Sequence, residues 1–169
     1  MLKLMIASEL CERLRASLRQ AGHREIGGVL VGEHIEDGVF RLVDLSVQTA
    51  GGTKSCFVRR PESHEGFLDA FFAKTEHNFV RFNYLGEWHS HPSFPAWPSE
   101  TDLSAMQELV ENGEQGVNFA LLLVVNLDWR KRLCLSANAF RPGTAPIEVD
   151  VAIESRKTRR KPWFEWRRP

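Results

Sequence analysis

The feature that most constrains the fold is a pair of histidines, His89 and His91, followed by Asp102. The histidines end an apolar run that predicts a strand, and residues two apart on a strand point to the same face. The proline-rich stretch 92–98 predicts an ordered loop, and Ser99 is a typical start for the helix after it. A fold that uses these residues together must bring the end of a strand beside the start of a helix.

These three side chains have the chemistry of a catalytic zinc site. Two imidazoles and one carboxylate leave one tetrahedral position open for water, as in zinc hydrolases. Zinc lowers the pKa of such a water from 15.7 to about 7. Asp102 lies eleven positions after His91, so the intervening loop can fold back and deliver it. The sequence therefore predicts a zinc ion bound by His89, His91 and Asp102.

Hydrolysis at such a site also needs a general base and a donor to the oxyanion. Glu25 is the candidate base, although the 64 positions between it and His89 prevent an assignment from spacing alone. Glu87 shares the strand face of His89 and is a rival base or a partner of the ligands. Ser99 is the candidate oxyanion donor, a role whose loss typically costs on the order of 3 kcal/mol. Ser99 and Asp102 also have the spacing of a helix capping box, and the two roles are compatible.

Apolar periodicity and turn residues predict hairpins mixed with helices. Ser8 is the expected N-cap of the first helix, and Phe57–Val58 is a candidate short strand. Helices are expected over 8–21, 62–78 and 99–112, and strands over 26–35, 39–47, 84–89, 118–127, 132–140 and 147–153. This order lacks repeated βα units, which favours the α+β class with a central mixed, largely antiparallel sheet flanked by helices.

The remaining glycines and histidines in this pattern have simpler interpretations. Gly27, Gly28 and Gly32 either permit close strand packing or keep a strand edge open for an extended substrate tail. Four further histidines lack a second ligand at a useful spacing, so we expect them at the surface: His23, His34, His64 and His77.

Length and charge divide the chain into one domain, 1–155, and a tail, 156–169. The tail holds seven of the 22 Lys and Arg residues but one of the 22 Asp and Glu residues, so a net charge of zero hides an acidic domain. Its interleaved basic and aromatic residues leave three readings open. The tail binds nucleic acid, docks on the domain or an acidic partner, or is solvated. The first of these alternatives concerns the tail alone, and no nucleic-acid site is expected on the domain.

The same composition argues against a membrane protein. The longest apolar run, Phe119 to Val125, has seven residues, far short of a membrane span. The three cysteines are odd in number and widely spaced, so neither a disulfide framework nor a cysteine-based zinc site is indicated. We therefore expect a cytoplasmic protein.

The motifs together resemble those of the JAB/MPN-plus (JAMM) metallopeptidases. The chain has His-X-His-Pro and then Ser-X-X-Asp, with ten residues, 92–101, between the second histidine and the aspartate. A segment similar to the family's Glu-X-X-Gly-X-Leu-X-Gly lies upstream at residues 25–32. The resemblance covers about residues 8–140 and implies the MPN/JAB fold, which is cytidine-deaminase-like, for the domain.

The resemblance also implies a role for each matching residue. His89, His91 and Asp102 would bind one zinc ion with its catalytic water, Glu25 would be the general base, and Ser99 would steady the oxyanion.

The wording Gly-Glu-Trp-His-Ser-His-Pro at residues 86–92 resembles the small prokaryotic branch of the family. Members of that branch cut peptide or isopeptide bonds at the C-terminus of ubiquitin-like proteins. The resemblance therefore implies a ubiquitin-like protein or its conjugate as partner, in antiphage systems that modify cGAS-like nucleotidyltransferases. Three alternatives stay open: processing of a sulfur carrier in cysteine biosynthesis, the RadC-like branch, and an MPN scaffold without hydrolysis.

Overall fold

A computed structural model describes residues 1–53, 59–113 and 116–155. The expected strand at Phe57–Val58 and the tail 156–169 lie outside these residues. A short 3₁₀ turn, Pro61–Ser63, precedes the second helix. The helices are α1 (Ser8–Ala21), α2 (Glu65–Lys74) and α3 (Glu100–Glu111). The strands are β1 (Lys3–Ala7), β2 (Gly27–Glu36), β3 (Val39–Leu45), β4 (Phe82–Ser90), β5 (Ala120–Leu127), β6 (Leu133–Phe140), β7 (Ile147–Glu148) and β8 (Asp150–Glu154).

The described strands form one mixed sheet in the order β7-β6-β5-β4-β2-β3-β1-β8. Four neighbouring pairs are antiparallel and three, β4–β5, β3–β1 and β1–β8, are parallel. Val149 connects the two edge strands, β7 and β8. Its N–H donates to the Ala137 carbonyl of β6, and the N–H of Asp150 donates to the Leu2 carbonyl. The predicted α+β class with a mixed sheet is confirmed.

The apolar stripe of α1 packs on one face of the sheet and forms the main core. Leu14 and Leu18 belong to the same buried cluster as Leu123 of β5. Trp88 is fully buried there, and its indole N–H donates to the Ser46 carbonyl at 2.8 Å. This hydrogen bond satisfies the polar end of a large apolar side chain, as buried tryptophan requires.

Helix α3 packs on the opposite face. Met106 and Val110 lie in a second cluster with Leu122 and Val124 of β5, the residues that alternate with those facing α1. His89 of β4 is the register partner of Val124. The side chain of His89 therefore points to the face of the sheet that α3 covers.

Several predicted elements need correction. No strand is predicted at the position of β1, whose partners β3 and β8 are distant in the chain. The helix expected over 62–78 ends at Lys74, before Glu76 and His77, which have positive φ angles. Ser8 is the first residue of α1 and not its N-cap, which is Ala7. The strand expected over 147–153 is two strands, β7 and β8, with different partners.

The glycines of β2 serve close packing. The strand is paired on both sides, with β3 and with β4, so the expectation of an open strand edge there is wrong. A Cβ at Gly28 would lie 2.2 Å from the Ser46 carbonyl oxygen. Within the ranges that the structure describes, no helix has both the length and the apolar character needed to cross a membrane.

Candidate metal centre

The two histidines and the aspartate converge where β4 ends and α3 begins. Their ligand atoms all lie within 4.8 Å of one another. The Nε2 atoms of His89 and His91 are 3.0 Å apart, and the carboxylate oxygens of Asp102 lie 3.5 and 3.6 Å from them. A tetrahedral zinc site with bonds of about 2.05 Å has ligand-to-ligand edges of about 3.3 Å. The three donors therefore fit one zinc ion and leave a fourth position open.

The hydrogen bonds of His91 prepare it to be a ligand. Its Nδ1 lies 3.1 Å from the Pro95 carbonyl oxygen, which can only accept, so Nδ1 carries the proton. Nε2 then has a free lone pair, the arrangement usual for metal-binding histidines. The Asp102 carboxylate, followed by the Pro95 carbonyl, raises the pKa of His91, because both stabilise its protonated form. The Asp102 carboxylate thus favours a positive charge beside it, and a bound cation would supply that charge.

Asp102 serves the helix and the site together. Its Oδ2 accepts from the Ser99 N–H and the Ser99 hydroxyl, both at 2.7 Å, and its own N–H donates to the Ser99 Oγ at 3.2 Å. This is the capping box that the sequence suggested, and it coexists with the approach to His89 and His91. Burial acts to raise the pKa of Asp102, but hydrogen bonds from the two histidines and Ser99 hold it well below its usual range. The carboxylate is therefore ionised and ready to bind a cation.

Strand pairing brings Glu25 to the same end of the sheet. Gly27 is the register partner of His89, and Ile26 and Ser90 are joined by two hydrogen bonds. Glu25 is only 5% exposed, and burial raises its pKa, while the nearby His91 and His89 act in the opposite direction. A carboxylate with a raised pKa beside the ligands is suited to accept a proton from water.

Glu87 is engaged elsewhere. It forms an ion pair with Arg59 and accepts a hydrogen bond from the Tyr84 hydroxyl at 3.5 Å. Burial raises the pKa of Glu87, with Arg59 acting against it. The hydrogen-bond and ion-pair partners of Glu87 are thus Arg59 and Tyr84, which fits neither the role of base nor that of a hydrogen-bonded partner of the ligands. Sequence reasoning missed Arg59, because nothing in the spacing links it to Glu87.

One expectation about the other histidines is wrong. His64 is 1% exposed, whereas His23, His34 and His77 are at the surface as predicted. The ring of His64 is held between the Ser46 hydroxyl and the Gln48 side chain. Burial, followed by the charge of Arg59, lowers its pKa, so it is a neutral structural residue.

Residues 7–135 match the family described as prokaryotic homologs of the JAB domain. The chain belongs to this family. Among curated proteins, this JAB domain is similar to a CD-NTase/cGAS isopeptidase of Enterobacter hormaechei, with 25% identity over 154 residues that span 86% of this chain and 79% of that protein. It is 32% identical over 113 residues to a protein of the same name from Vibrio cholerae, across 64% of this chain and 67% of that one.

Solved structures agree on the fold of the JAB domain. The solution structure of a protein from Desulfitobacterium hafniense superposes with a TM-score of 0.68 at 17% identity, covering 90% of this chain and 93% of that one. A protein from Salinibacter ruber gives a TM-score of 0.53 at 22% identity, covering 89% and 91%. The sequence identities are low, so these likenesses concern the fold alone.

Proposed function

We propose that this protein is a zinc-dependent isopeptidase that cleaves after the C-terminal residue of a ubiquitin-like modifier. The observation that carries the proposal is the convergence of His89, His91 and Asp102 beside the buried Glu25. It occurs in a chain that is similar to named isopeptidases over most of its length.

Each residue has a role in this proposal. His89, His91 and Asp102 hold the zinc ion, which supplies Lewis acidity and lowers the pKa of water to about 7. Glu25 accepts a proton from the attacking water and returns it to the leaving amine of the target lysine. The C–N bond breaks, and the modifier leaves with a free carboxylate. Burial of Glu25 keeps bulk water away from this proton transfer.

Ser99 is proposed as the donor to the oxyanion. Its hydroxyl donates to Asp102 in the capping box, so it must turn toward the substrate for this role. The Ser99 N–H also bonds Asp102, and it can hold the carboxylate while the hydroxyl turns. Loss of such a donor is expected to lower turnover by about 10²–10³.

A groove in the surface of the domain offers room for a segment of the modifier. Its volume is about 920 Å³, and it lies along β4, with Val29, Arg59 and Tyr84 among its lining residues. Val29 pairs with Glu87, two residues before His89 on the same strand. The described lining of this groove does not include His89, His91, Asp102 or Glu25.

The names of the relatives suggest the biological substrate. Two curated relatives are called CD-NTase/cGAS isopeptidases, so we propose a cGAS-like nucleotidyltransferase as the conjugated target, in a bacterial antiphage pathway. We also propose that the enzyme is cytoplasmic, because the number and spacing of its cysteines do not indicate a disulfide framework.

A cleavage assay tests the proposal. Ubiquitin-like proteins encoded beside the gene are each fused through their C-terminus to a reporter and incubated with wild-type protein. The assay is repeated with Glu25→Gln, with metal-stripped protein, and with stripped protein given zinc. Glu36→Gln, at the exposed end of β2, is the matched control. We expect cleavage after the modifier's last residue, lost in Glu25→Gln with zinc content unchanged, kept in Glu36→Gln, and restored by zinc.

Other outcomes would select an alternative. Cleavage of a sulfur carrier and no other modifier would support the cysteine-biosynthesis reading. Near-normal turnover by Glu25→Gln would remove Glu25 as the base. If zinc-loaded protein cleaves none of the ubiquitin-like proteins encoded beside the gene, a scaffold or RadC-like role would be favoured.

A further inference from the structure

A loop segment, residues 50–53, lies directly against the backbone of Glu25. The Glu25 N–H donates to the Thr53 carbonyl at 2.7 Å. Gly52 faces the carbonyl of Glu25 so closely that a Cβ at position 52 would lie 1.8 Å from its oxygen and 2.9 Å from its carbon. Real Cβ contacts essentially never fall below 3.0 Å. A side chain here would push the two backbones apart by more than an ångström.

The close approach is the reason for glycine at this position. The φ angle of Gly52 is not among the positive values, unlike that of Gly51. The backbone conformation at residue 52 therefore accepts an L-amino acid, and only the contact with Glu25 excludes one.

The segment is anchored at its start by the buried side chain of Gln48. The Gln48 amide nitrogen donates to the Ala50 carbonyl at 2.9 Å. The amide oxygen accepts from the Arg60 N–H at 2.9 Å and contacts His64 Nε2 at 3.2 Å. The backbone of Gln48 bonds that of Gly27, two residues after Glu25. The segment therefore has fixed points on both sides of Gly52.

Glu25 is held on its other side by the strand that carries the ligands. Ile26 accepts from the Ser90 N–H at 2.8 Å, and the Ile26 N–H donates to the Ser90 Oγ at 3.0 Å. The backbone of Glu25 thus lies between β4 and the segment that contains Gly52. Displacement of either wall moves the carboxylate relative to the zinc ligands.

We propose that Gly52 is a positioning residue for catalysis, whose missing side chain lets the 50–53 segment hold Glu25 at its working distance from the zinc ligands. This inference rests on the proposed function, in which Glu25 is the general base. A misplacement of about 1 Å at a catalytic group can cost about 10²-fold in rate. Gly52→Ala is therefore expected to lower kcat by about this factor.

The experiment compares Gly52→Ala with Gly66→Ala. Gly66 lies in α2, and a Cβ there would meet nothing within 4 Å. With the modifier–reporter substrate and zinc-loaded proteins, we expect Gly52→Ala to lose about 10²-fold in kcat with KM changed by less than about threefold and zinc content unchanged. Gly66→Ala should match wild type. The double variant Glu25→Gln, Gly52→Ala should be no slower than Glu25→Gln alone, because both changes act through one carboxylate.

Amide hydrogen exchange gives a readout that does not depend on cleavage. In Gly52→Ala the Glu25 amide, which donates to Thr53, should exchange faster, while the Ser90 amide stays protected. Unchanged protection of the Glu25 amide, or a kcat equal to that of Gly66→Ala, would overturn the proposal. Equal loss of zinc and activity would also overturn it, because Gly52 would then support the metal site as a whole. If wild-type protein cleaves nothing, the proposed function fails, and the exchange result alone decides whether Gly52 positions Glu25.

Discussion

Ser90, the residue between the two histidines, should contribute to stability far more than its size suggests. It is fully buried, and its hydroxyl is the acceptor for the N–H of Ile26, which is also fully buried. Ser90→Ala removes this acceptor and leaves the N–H without a partner or access to water. An unsatisfied buried donor costs about 1–3 kcal/mol. The lost hydroxyl is small, so the cavity that remains adds little to this free energy.

The assay is urea unfolding of metal-free protein, followed by tryptophan fluorescence, with a thermal scan in parallel. For a chain of this length, 1 kcal/mol corresponds to about 2–4 °C in Tm. We therefore expect Ser90→Ala to lower Tm by about 2–12 °C with an unchanged urea m-value. Ser136→Ala is the matched control, because the Ser136 hydroxyl is buried and has no hydrogen-bond partner in the described part of the chain. Its removal should be neutral or slightly stabilising. Equal unfolding midpoints for the two variants would refute the argument.

Two further predictions concern buried charged and titratable groups. Glu33→Ala should destabilise the fold by about 1.5–3 kcal/mol in urea unfolding, because Arg41 and Arg81 lose a buried carboxylate partner, although Arg41 keeps its pair with Glu154. Glu12→Ala, which breaks an exposed pair within α1, should cost less than about 0.5 kcal/mol. Burial lowers the pKa of His64 below the ordinary histidine value of 6.5, so as pH falls the unfolded chain binds a proton there before the folded chain does. The unfolding free energy should therefore fall as pH drops below 6.5 and level off below the folded pKa. This dependence, measured from about pH 8 to about pH 5, should weaken in His64→Gln and persist in His23→Gln. If the unfolding free energy of His64→Gln depended on pH as steeply as that of wild type, His64 would not be the titrating group.

The convergence of His89, His91 and Asp102 was predictable because their spacing is local. His89 and His91 share a strand face, and one loop connects them to the first turn of α3, where Asp102 lies. Periodicity of 2 and 3.6 residues sets these directions with no information about the rest of the chain. The role of Glu25 came only from resemblance to a family, because its approach depends on the pairing of β2 with β4.

The features that sequence reasoning missed depend on distant contacts. Strand β1 has five residues, passes directly into α1 without a turn signal, and pairs in parallel with β3 and β8. His64 carries no sign of burial in its neighbours, and its partners Ser46 and Gln48 belong to the region after β3. Propensity and periodicity describe neighbours in the chain, so pairings of this kind lie outside their reach.

One irregularity in β4 explains how Leu85 and Trp88 can both be buried in the main core while His89 points toward α3. The β2–β4 register shifts so that Gly86 faces Leu30 and Tyr84 faces Val31, which leaves Leu85 as an extra residue. Leu85 and Trp88 then both enter the main core, although strict alternation would place them on opposite faces. Without the bulge, alternation from Leu85 would direct His89 into that core, away from Asp102. Gly86 permits the irregularity, since its φ is 142° and a Cβ there would lie 1.9 Å from the Leu121 carbonyl oxygen. The inserted residue thus lets Leu85 join the main core while His89, next to Trp88, keeps the opposite face.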